Sequence, residues 1–299
     1  MNIEQANRIP LSSILQKIGS MPVKQRGSEL WYHSPFRKER TPSFHIHAAK
    51  NVWYDFGEAK GGNVVHFVCA YLQRKNEDDT IVDALRWLNN MEPSQTVVPF
   101  SKEDLKEYGK ALQLRKASAL RHPSFVSYLS SRGIPLALAR KYLKEVCVRN
   151  LHTGKNFFAL GFENENGGYE LRNKVFKGCI APKTISFIRG NTPLPADIHV
   201  FEGFMDFLSA LTKQKDNRFE GDVIVLNSLI CLPQAFPYIK DYSYKTLYTW
   251  LDNDATGKEA NRILQGFAAK QGSLVFKPMN ETYATHKDVN EWHMRKLGL

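Results

Sequence analysis

The sequence predicts an α/β protein. A parallel sheet covered by helices on both faces occupies the C-terminal third, behind a basic α+β segment and a small N-terminal sheet module. Three observations lead there. From Asp197 onwards short apolar runs alternate with amphipathic stretches, as expected of strands buried on both faces and joined by covering helices. In the middle of the chain, apolar stretches flank the turn Asn164-Glu165-Asn166-Gly167-Gly168, a strong hairpin signal. Near the N-terminus the aromatic-rich stretches Leu30-Trp31-Tyr32 and Val52-Trp53-Tyr54 lie between turn residues and read as a small antiparallel sheet.

Taken in order, residues 11–18 and 80–88 carry helical patterns, the second apolar at Ile81, Ala84, Leu85 and Leu88. Residues 92–100 are aperiodic and bear Pro, Ser and Thr, the composition of a linker. A basic helix is expected over residues 102–119, a second over 125–132 ended by Gly133, and a third running through Leu138 and Tyr142. The hairpin strands span residues 156–162 and 169–172. The last third predicts strands at 198–201, 223–226, 246–251 and 274–276, followed by helices at 204–211, 233–239, 258–269 and 289–296. Domain bounds follow as 1–92, a linker and basic helix over 93–120, a basic subdomain over 121–195, and 196–299.

The chain has 299 residues, 42% of them hydrophobic, enough to bury cores without disulfides or metals. Lys and Arg number 41 against 30 Asp and Glu, a formal net charge of +11 that favours polyanionic partners, nucleic acid first. The N-terminal MNIEQANRIP is polar, and no apolar run is long enough to span a bilayer. A cytoplasmic protein without a membrane partner is expected. Cys69, Cys147, Cys179 and Cys231 are scattered, form no CxxC pair and look like reduced core residues.

Ligands on parallel sheets bind beyond the carboxyl ends of the strands, and acidic residues cluster there. Glu202-Gly203-Phe204-Met205-Asp206 follows the first strand, Asp252-Asn253-Asp254-Ala255-Thr256-Gly257 follows the third, and Asp288 comes soon after the fourth. Carboxylates converging on one rim need a cation, and oxygen-only ligands suit Mg²⁺ or Mn²⁺ rather than zinc. Taken singly, Glu202 and Asp252 could equally be acids that stabilise helix N-termini. Together, EGxxD after one strand and DxDxxG two strands later resemble the TOPRIM signature of bacterial-type primases, topoisomerases and some nucleases. The resemblance implies a Rossmann-like sheet, with Glu202 as general acid/base, Asp252 and Asp254 holding the metal, and Asp206 supporting the site. Asp288, in His-Lys-Asp-Val-Asn-Glu, looks like the last acidic motif of that family; Asn290 stands where the primase form usually carries a second aspartate.

The N-terminal module narrows the resemblance. Ser34-Pro35-Phe36-Arg37, then Lys38-Glu39-Arg40-Thr41-Pro42-Ser43-Phe44, then Phe56-Gly57-Glu58-Ala59-Lys60-Gly61-Gly62-Asn63 follow the frame of the primase CHC2 zinc-binding domain, and Tyr128-Leu129 through Arg132-Gly133 look like the primase segment before TOPRIM. Ser34, Arg37, Asp55 and Glu58 occupy the zinc-ligand positions. Zinc at such a site needs thiolates and imidazoles, so a zinc-ribbon-like module without zinc is expected, with Arg37 pairing Asp55 and Glu58 in place of the metal. His33, His45 and His47 do not match the ligand spacing. The aromatic residues Trp31, Tyr32, Phe36, Phe44, Trp53, Tyr54 and Phe56 are expected to pack mostly as core, the alternative being to stack on single-stranded bases.

Between the modules Arg132, Arg140, Lys141, Lys144, Lys155, Arg172, Lys174, Lys177, Lys183 and Arg189 make a basic tract. Of these Arg172, Lys174, Lys177 and Lys183 are the candidates for contact with template or nucleotide phosphate; a solvated face is the alternative reading for Lys141 and Lys144. The resemblance implies a bacterial DnaG-type DNA primase, making short RNA primers on single-stranded DNA from nucleoside triphosphates. The chain ends soon after the last motif, which suggests a short plasmid, phage or mobile-element form working with a helicase, relaxase or recombinase. The alternatives are a TOPRIM protein that binds single-stranded DNA in an excision or mobilisation complex without polymerising, and a TOPRIM nuclease.

Overall fold

The computed structural model describes residues 3–75, 79–91, 111–192, 194–240, 242 and 244–299. The chain divides into two compact units, 1–94 and 95–299.

In the first unit helices α1 (Ile3–Ala6), α2 (Leu11–Lys17), α3 (Val64–Arg74) and α4 (Ile81–Met91) accompany one antiparallel meander. Its strands are β1 (Lys24–Arg26), β2 (Glu29–Tyr32), β3 (Phe44–His47), β4 (Val52–Asp55) and β5 (Lys60–Gly62), in sequence order across the sheet. Alternation along the central strands turns Leu30, Tyr32, Phe44, Ile46 and Trp53 into one core with α2, α3 and α4. Phe36, Phe44, Trp53 and Phe67 meet there at ring centroid distances of 5.3–6.1 Å. Most of the named aromatics are core, but three are not. Trp31, Tyr54 and Phe56 stand on the opposite face, Trp31 stacked on Phe56 at 5.5 Å. Helix α3 was not expected; its start is marked by Asn63, whose side chain accepts from the His66 N–H at 3.0 Å.

The second unit contains two sheets. An antiparallel meander joins β6 (Leu112–Ala119), β7 (Leu143–Asn150), β8 (Asn156–Glu163), β9 (Tyr169–Arg172) and β10 (Lys177–Ile180). Helices α5 (Pro123–Ser131) and α6 (Leu136–Tyr142) lie between its first two strands. The basic helix expected over 102–119 is not found over its last part: residues 112–119 are strand β6, and 102–110 lie outside the described residues. Leu112 through Ala119 pairs along β7, and that cross-strand ladder overrides local helix propensity. The expected hairpin is present, Phe162 opposite Glu170.

The third sheet has the order β11-β13-β12-β14-β15, with β11 (Ser186–Ile188) antiparallel at one edge. The parallel strands are β12 (Asp197–Phe201), β13 (Asp222–Val225), β14 (Thr246–Trp250) and β15 (Val275–Pro278). Edge strand β11 precedes residue 196, so this sheet recruits chain from the segment assigned to the basic subdomain. Helices α8 (Leu232–Ile239) and α9 (Ala255–Lys270) cover one face, over Ile198, Val200, Ile224 and Leu247. On the other, Phe201, Val223 and Val225 pack with α7 (Phe204–Leu211), with Val289 of α10 (Val289–Lys296), and with Leu143, Leu160 and Phe162 of the meander. Phe162 stacks on Phe204 at 5.2 Å, which sets the β9–β10 hairpin beside the carboxyl ends of the parallel strands. No helix among the described residues is long and apolar enough to cross a membrane.

Candidate metal centre

Strands β12 and β14 are parallel neighbours with Phe201 opposite Trp250, so the residues that follow them emerge side by side. Glu202 leaves β12 and accepts the Asp252 backbone N–H on Oε2 at 3.1 Å. Asp206, in the first turn of α7, is buried and accepts the Asn290 N–H on Oδ1 at 3.0 Å. Asp288 caps α10 by accepting from the Glu291 N–H at 2.7 Å, and Asp254 caps α9 by accepting from Gly257 at 2.8 Å. The structure therefore brings Glu202, Asp206, Asp252 and Asp288 together, with Asp254 at the exposed margin, where helix capping holds its carboxyl below the usual range.

Crowding shows in the protonation of the inner acids. Burial, then the Asp252 charge, pushes Glu202 up to about 7. Burial and the neighbouring Asp288 raise Asp206 well above a normal aspartate, and the same two causes raise Asp252. Among the described residues no three acidic, histidine or cysteine side chains stand close enough to form a ready-made metal cage. Uncompensated carboxylates repel one another, and Mg²⁺ commonly uses only one or two carboxylates plus substrate phosphates and water. A bare rim of this kind fits such an ion. One ammonium partly neutralises it: Lys287 Nζ lies 3.6 Å from Asp252 Oδ2.

Several positioning residues were not anticipated. Asn253, between the two aspartates, donates from Nδ2 to the Tyr283 and His286 carbonyls at 3.0 and 2.7 Å. Asn280 donates to the Leu251 carbonyl and to Asn253 Oδ1 at 2.9 and 2.8 Å, and accepts from Asn261 at 2.8 Å. Gly257 is obligatory for a different reason, since a Cβ there would lie 2.1 Å from the Asp252 carbonyl oxygen. Asn290 is not part of the carboxylate group: its side chain is buried, and Nδ2 donates to Ser209 Oγ and the Arg132 carbonyl at 2.8 and 3.1 Å. Asn253 could have been suspected from its place in the motif, but nothing local marks Asn280 or Asn261.

Among the basic candidates, Lys177 lies close enough to Glu202 to favour its ionised form, and Arg172 faces Lys177 across the β9–β10 pair. The Arg172 Nε is buried without an acceptor. Lys174 is exposed at the turn between them. Lys183 is a correction. It is buried against Glu170, Nζ to Oε1 2.8 Å, and donates to the Asn227 carbonyl, so it holds the protein together rather than facing a phosphate. An isolated carboxylate at Glu170 would be costly to bury, which accounts for the pairing.

In the first unit Ser34, Arg37, Asp55 and Glu58 do converge. The Arg37 guanidinium grips Asp55 with two bonds of 2.8 Å, one to each oxygen. Ser34 Oγ donates to Asp55 at 2.7 Å, while the expected Glu58 contact is the longest of the set at 3.5 Å. Two unanticipated residues complete the clasp: Glu39 pairs Arg37 at 2.9 Å, and Ser43 Oγ accepts from it at 2.6 Å. Glu39 also accepts the Ser34 and Ser43 N–H groups. Burial raises Asp55 and Glu39, but these donors outweigh it and hold both below the usual carboxylate range. A Cβ at residue 57 would fall 2.0 Å from Arg37 Nη2, so Gly57 makes room for the guanidinium. His45 and His47 instead pair Glu29.

A rim of mutually raised carboxylates after EGxxD and DxDxxG, on a parallel sheet covered on both faces, defines a Toprim-type metal domain. Residues 199–293 match the Toprim-like family, which implies divalent-metal binding, and residues 3–96 match the CHC2 zinc finger family. The two matches come in the order that the resemblance to DnaG-type DNA primases implies. The chain is 29% identical over 146 residues to a DNA primase of Legionella pneumophila, covering 46% of this chain and 24% of the relative. It is 26% identical over 182 residues to the DNA primase of Buchnera aphidicola, covering 56% and 27%. The chain thus spans about a quarter of the length of these relatives. Residues 114–181 match a family described only as a domain of unknown function. Similar solved structures are the zinc-binding and RNA polymerase domains of the Aquifex aeolicus primase and the primase fragment of the bacteriophage T7 primase-helicase. The first aligns at 16% identity and TM-score 0.42, covering 98% of this chain and 83% of that one; the second at 16% and 0.40, covering 82% and 87%.

Proposed function

We propose that the chain is a DNA primase that joins nucleoside triphosphates into short RNA primers on single-stranded DNA. The observation that carries this reading is the set of inner carboxylates, Glu202, Asp206 and Asp252 raised by burial and by neighbouring acids, with Asp288 beside them and the cationic β9–β10 hairpin close by. Glu202, Asp252 and Asp288 would hold Mg²⁺ or Mn²⁺, with Asp206 behind them and Asp254 at the margin. The ion would supply charge stabilisation for in-line phosphoryl transfer. A carboxyl near 7 suits Glu202 to take the proton of an attacking 3′-hydroxyl at neutral pH. Lys177, Arg172 and Lys174 would neutralise phosphate, the buried Arg172 Nε having no acceptor within the protein.

The N-terminal module carries no zinc in this reading. A guanidinium already bonded to Asp55 and Glu39 cannot ligate a cation, and the remaining donors are a hydroxyl and carboxylates. Its exposed Tyr54 and Phe56, with half-buried Trp31 stacked on Phe56, offer faces on which single-stranded bases can stack.

Incubation with single-stranded DNA, labelled NTPs and Mg²⁺ or Mn²⁺ tests the proposal. Short oligonucleotides from the wild type and none from Asp252→Ala are expected. Intact DNA binding without product under either metal would refute polymerisation and leave a non-polymerising binding protein.

A further inference from the structure

Beside the rim, the loop after α5 and helix α10 border an open cavity of about 460 Å³ lined by Arg132, Lys287, Asp288, Glu291, Met294, Arg295 and Leu299. Its two carboxylates are engaged locally. Glu291 Oε2 accepts the Lys287 backbone N–H at 2.7 Å, and Asp288 caps the helix. Arg132 differs, because its Nε is buried without an acceptor. Among the described residues its guanidinium meets soft partners, Nη1 at 3.6 Å from Met294 Sδ and the Tyr128 ring at 5.9 Å. Yet the residue is held firmly. Asn290 binds its carbonyl, and His293 Nε2 lies 2.9 Å from the carbonyl of Gly133 next to it. A guanidinium on an anchored backbone, with one nitrogen on a weak sulfur acceptor and Nε without an acceptor among the described residues, beside exposed Arg295, suits a tetrahedral oxyanion.

Lys287 belongs to both places. It lines the cavity, and its ammonium sits against Asp252. A divalent ion at the carboxylates would remove the attraction that holds it there.

We propose that this cavity is a phosphate seat attached to the metal centre, and that Lys287 switches between them. It neutralises Asp252 while no divalent ion is bound, and joins Arg132 and Arg295 around a phosphoryl group once one is. The ligand is a phosphate of a nucleoside triphosphate or of a nucleic-acid backbone. The switch rests on the reading of the rim as a metal centre; the seat does not. Asn290, where the resemblance implies an aspartate, then acquires a purpose, since its amide donates to the Arg132 carbonyl as an ionised carboxylate could not, while its backbone N–H serves Asp206.

Calorimetric titration with pyrophosphate in EDTA tests both parts without metal. Arg295→Met, an exposed change, is expected to weaken binding about tenfold, the scale of one charge-assisted hydrogen bond. Asp252→Asn mimics neutralisation of the rim, frees Lys287 and is expected to tighten binding about threefold, as for a surface ion pair released. The double variant Asp252→Asn, Lys287→Met is expected to lose that gain. Wild-type binding by Arg295→Met would overturn the seat, and a gain that survives in the double variant would overturn the switch. Displacement of pyrophosphate by ATP but not by a 5′-hydroxyl oligodeoxynucleotide assigns the seat to the nucleotide, and the reverse assigns it to the backbone. Mn²⁺ affinity of the wild type, measured by electron paramagnetic resonance, reports separately on the metal reading. Circular-dichroism melts verify that each variant is folded.

Discussion

The chain gathers carboxylates twice and treats them in opposite ways. In the N-terminal clasp, Asp55 and Glu39 meet Arg37, two serines and backbone N–H groups, and their protons leave easily. At the C-terminal rim, Glu202, Asp206 and Asp252 meet one another, and burial and neighbouring acids push their carboxyls above the ordinary range. Both sets are largely desolvated, so burial alone does not distinguish them. The difference lies in who supplies the positive charge. The clasp carries its own guanidinium bonded to its acids, whereas among the described residues the rim meets only exposed lysines, Lys287 at Asp252 and Lys177 near Glu202. A site that is satisfied internally stabilises a fold. One left unsatisfied is poised for a ligand.

The largest effect is expected from removing the rim's central acid. Asp252→Asn should lower primer synthesis by more than about a hundredfold and weaken Mn²⁺ binding, while the melting temperature holds or rises because a repelling charge is gone. A sharp fall in stability would make Asp252 a structural residue and erase the contrast. In the clasp, the matching deletion should act on stability alone. Arg37→Met leaves Asp55 buried without its partner, and denaturant unfolding of residues 1–94 is expected to lose about 3 kcal/mol. Chelator should leave the wild-type transition unchanged; a loss with chelator would mean that the module does bind metal.

An intermediate effect concerns pH. Burial and the Asp252 charge push the folded Glu202 carboxyl up to about 7, above an ordinary glutamate near 4.5, so the folded state holds its proton more tightly than the unfolded chain. Its contribution to stability is full below about 4.5 and disappears as pH rises through about 7. The metal-free protein should therefore lose about 2 kcal/mol between pH 5 and pH 8 from this group, and saturating Mn²⁺ should reverse the trend. Thermal melts over that range, with and without the ion, would read it. Asp55 and Glu39 run the other way. Their carboxyls are held down, so their contribution is present above the ordinary carboxylate range and fades as pH falls below it. The smallest effect is at Gly57, where alanine must displace the tip of Arg37; about 1 kcal/mol of loss is expected, with none on metal affinity.

Much of this was legible in the sequence because its causes are local. Apolar runs and turn residues marked the parallel strands to within a residue or two, and EGxxD and DxDxxG placed acids directly after β12 and β14. The resemblance to the CHC2 frame also grouped Ser34, Arg37, Asp55 and Glu58. Other features had no local cause. Strand β6 reads as a basic helix until β7 pairs with it, and helix α3 is hidden inside a motif noticed for other reasons. Lys183 looked like a free cation because the acid that claims it, Glu170, lies on a neighbouring strand.

The sequence by itself determined which chemical groups are available and which strand ends carry them, since periodicity and turn chemistry act over a few residues. Only the tertiary structure decided which charges are neutralised. Electrostatic pairing depends on distance through space and on exclusion of water, and neither is set by separation along the chain. Thus Arg37 closes on Asp55 from 18 residues away and Asn290 reaches the Arg132 carbonyl from 158. The carboxylates of Glu202, Asp206, Asp252 and Asp288 are left close to one another, with the Lys287 ammonium against Asp252.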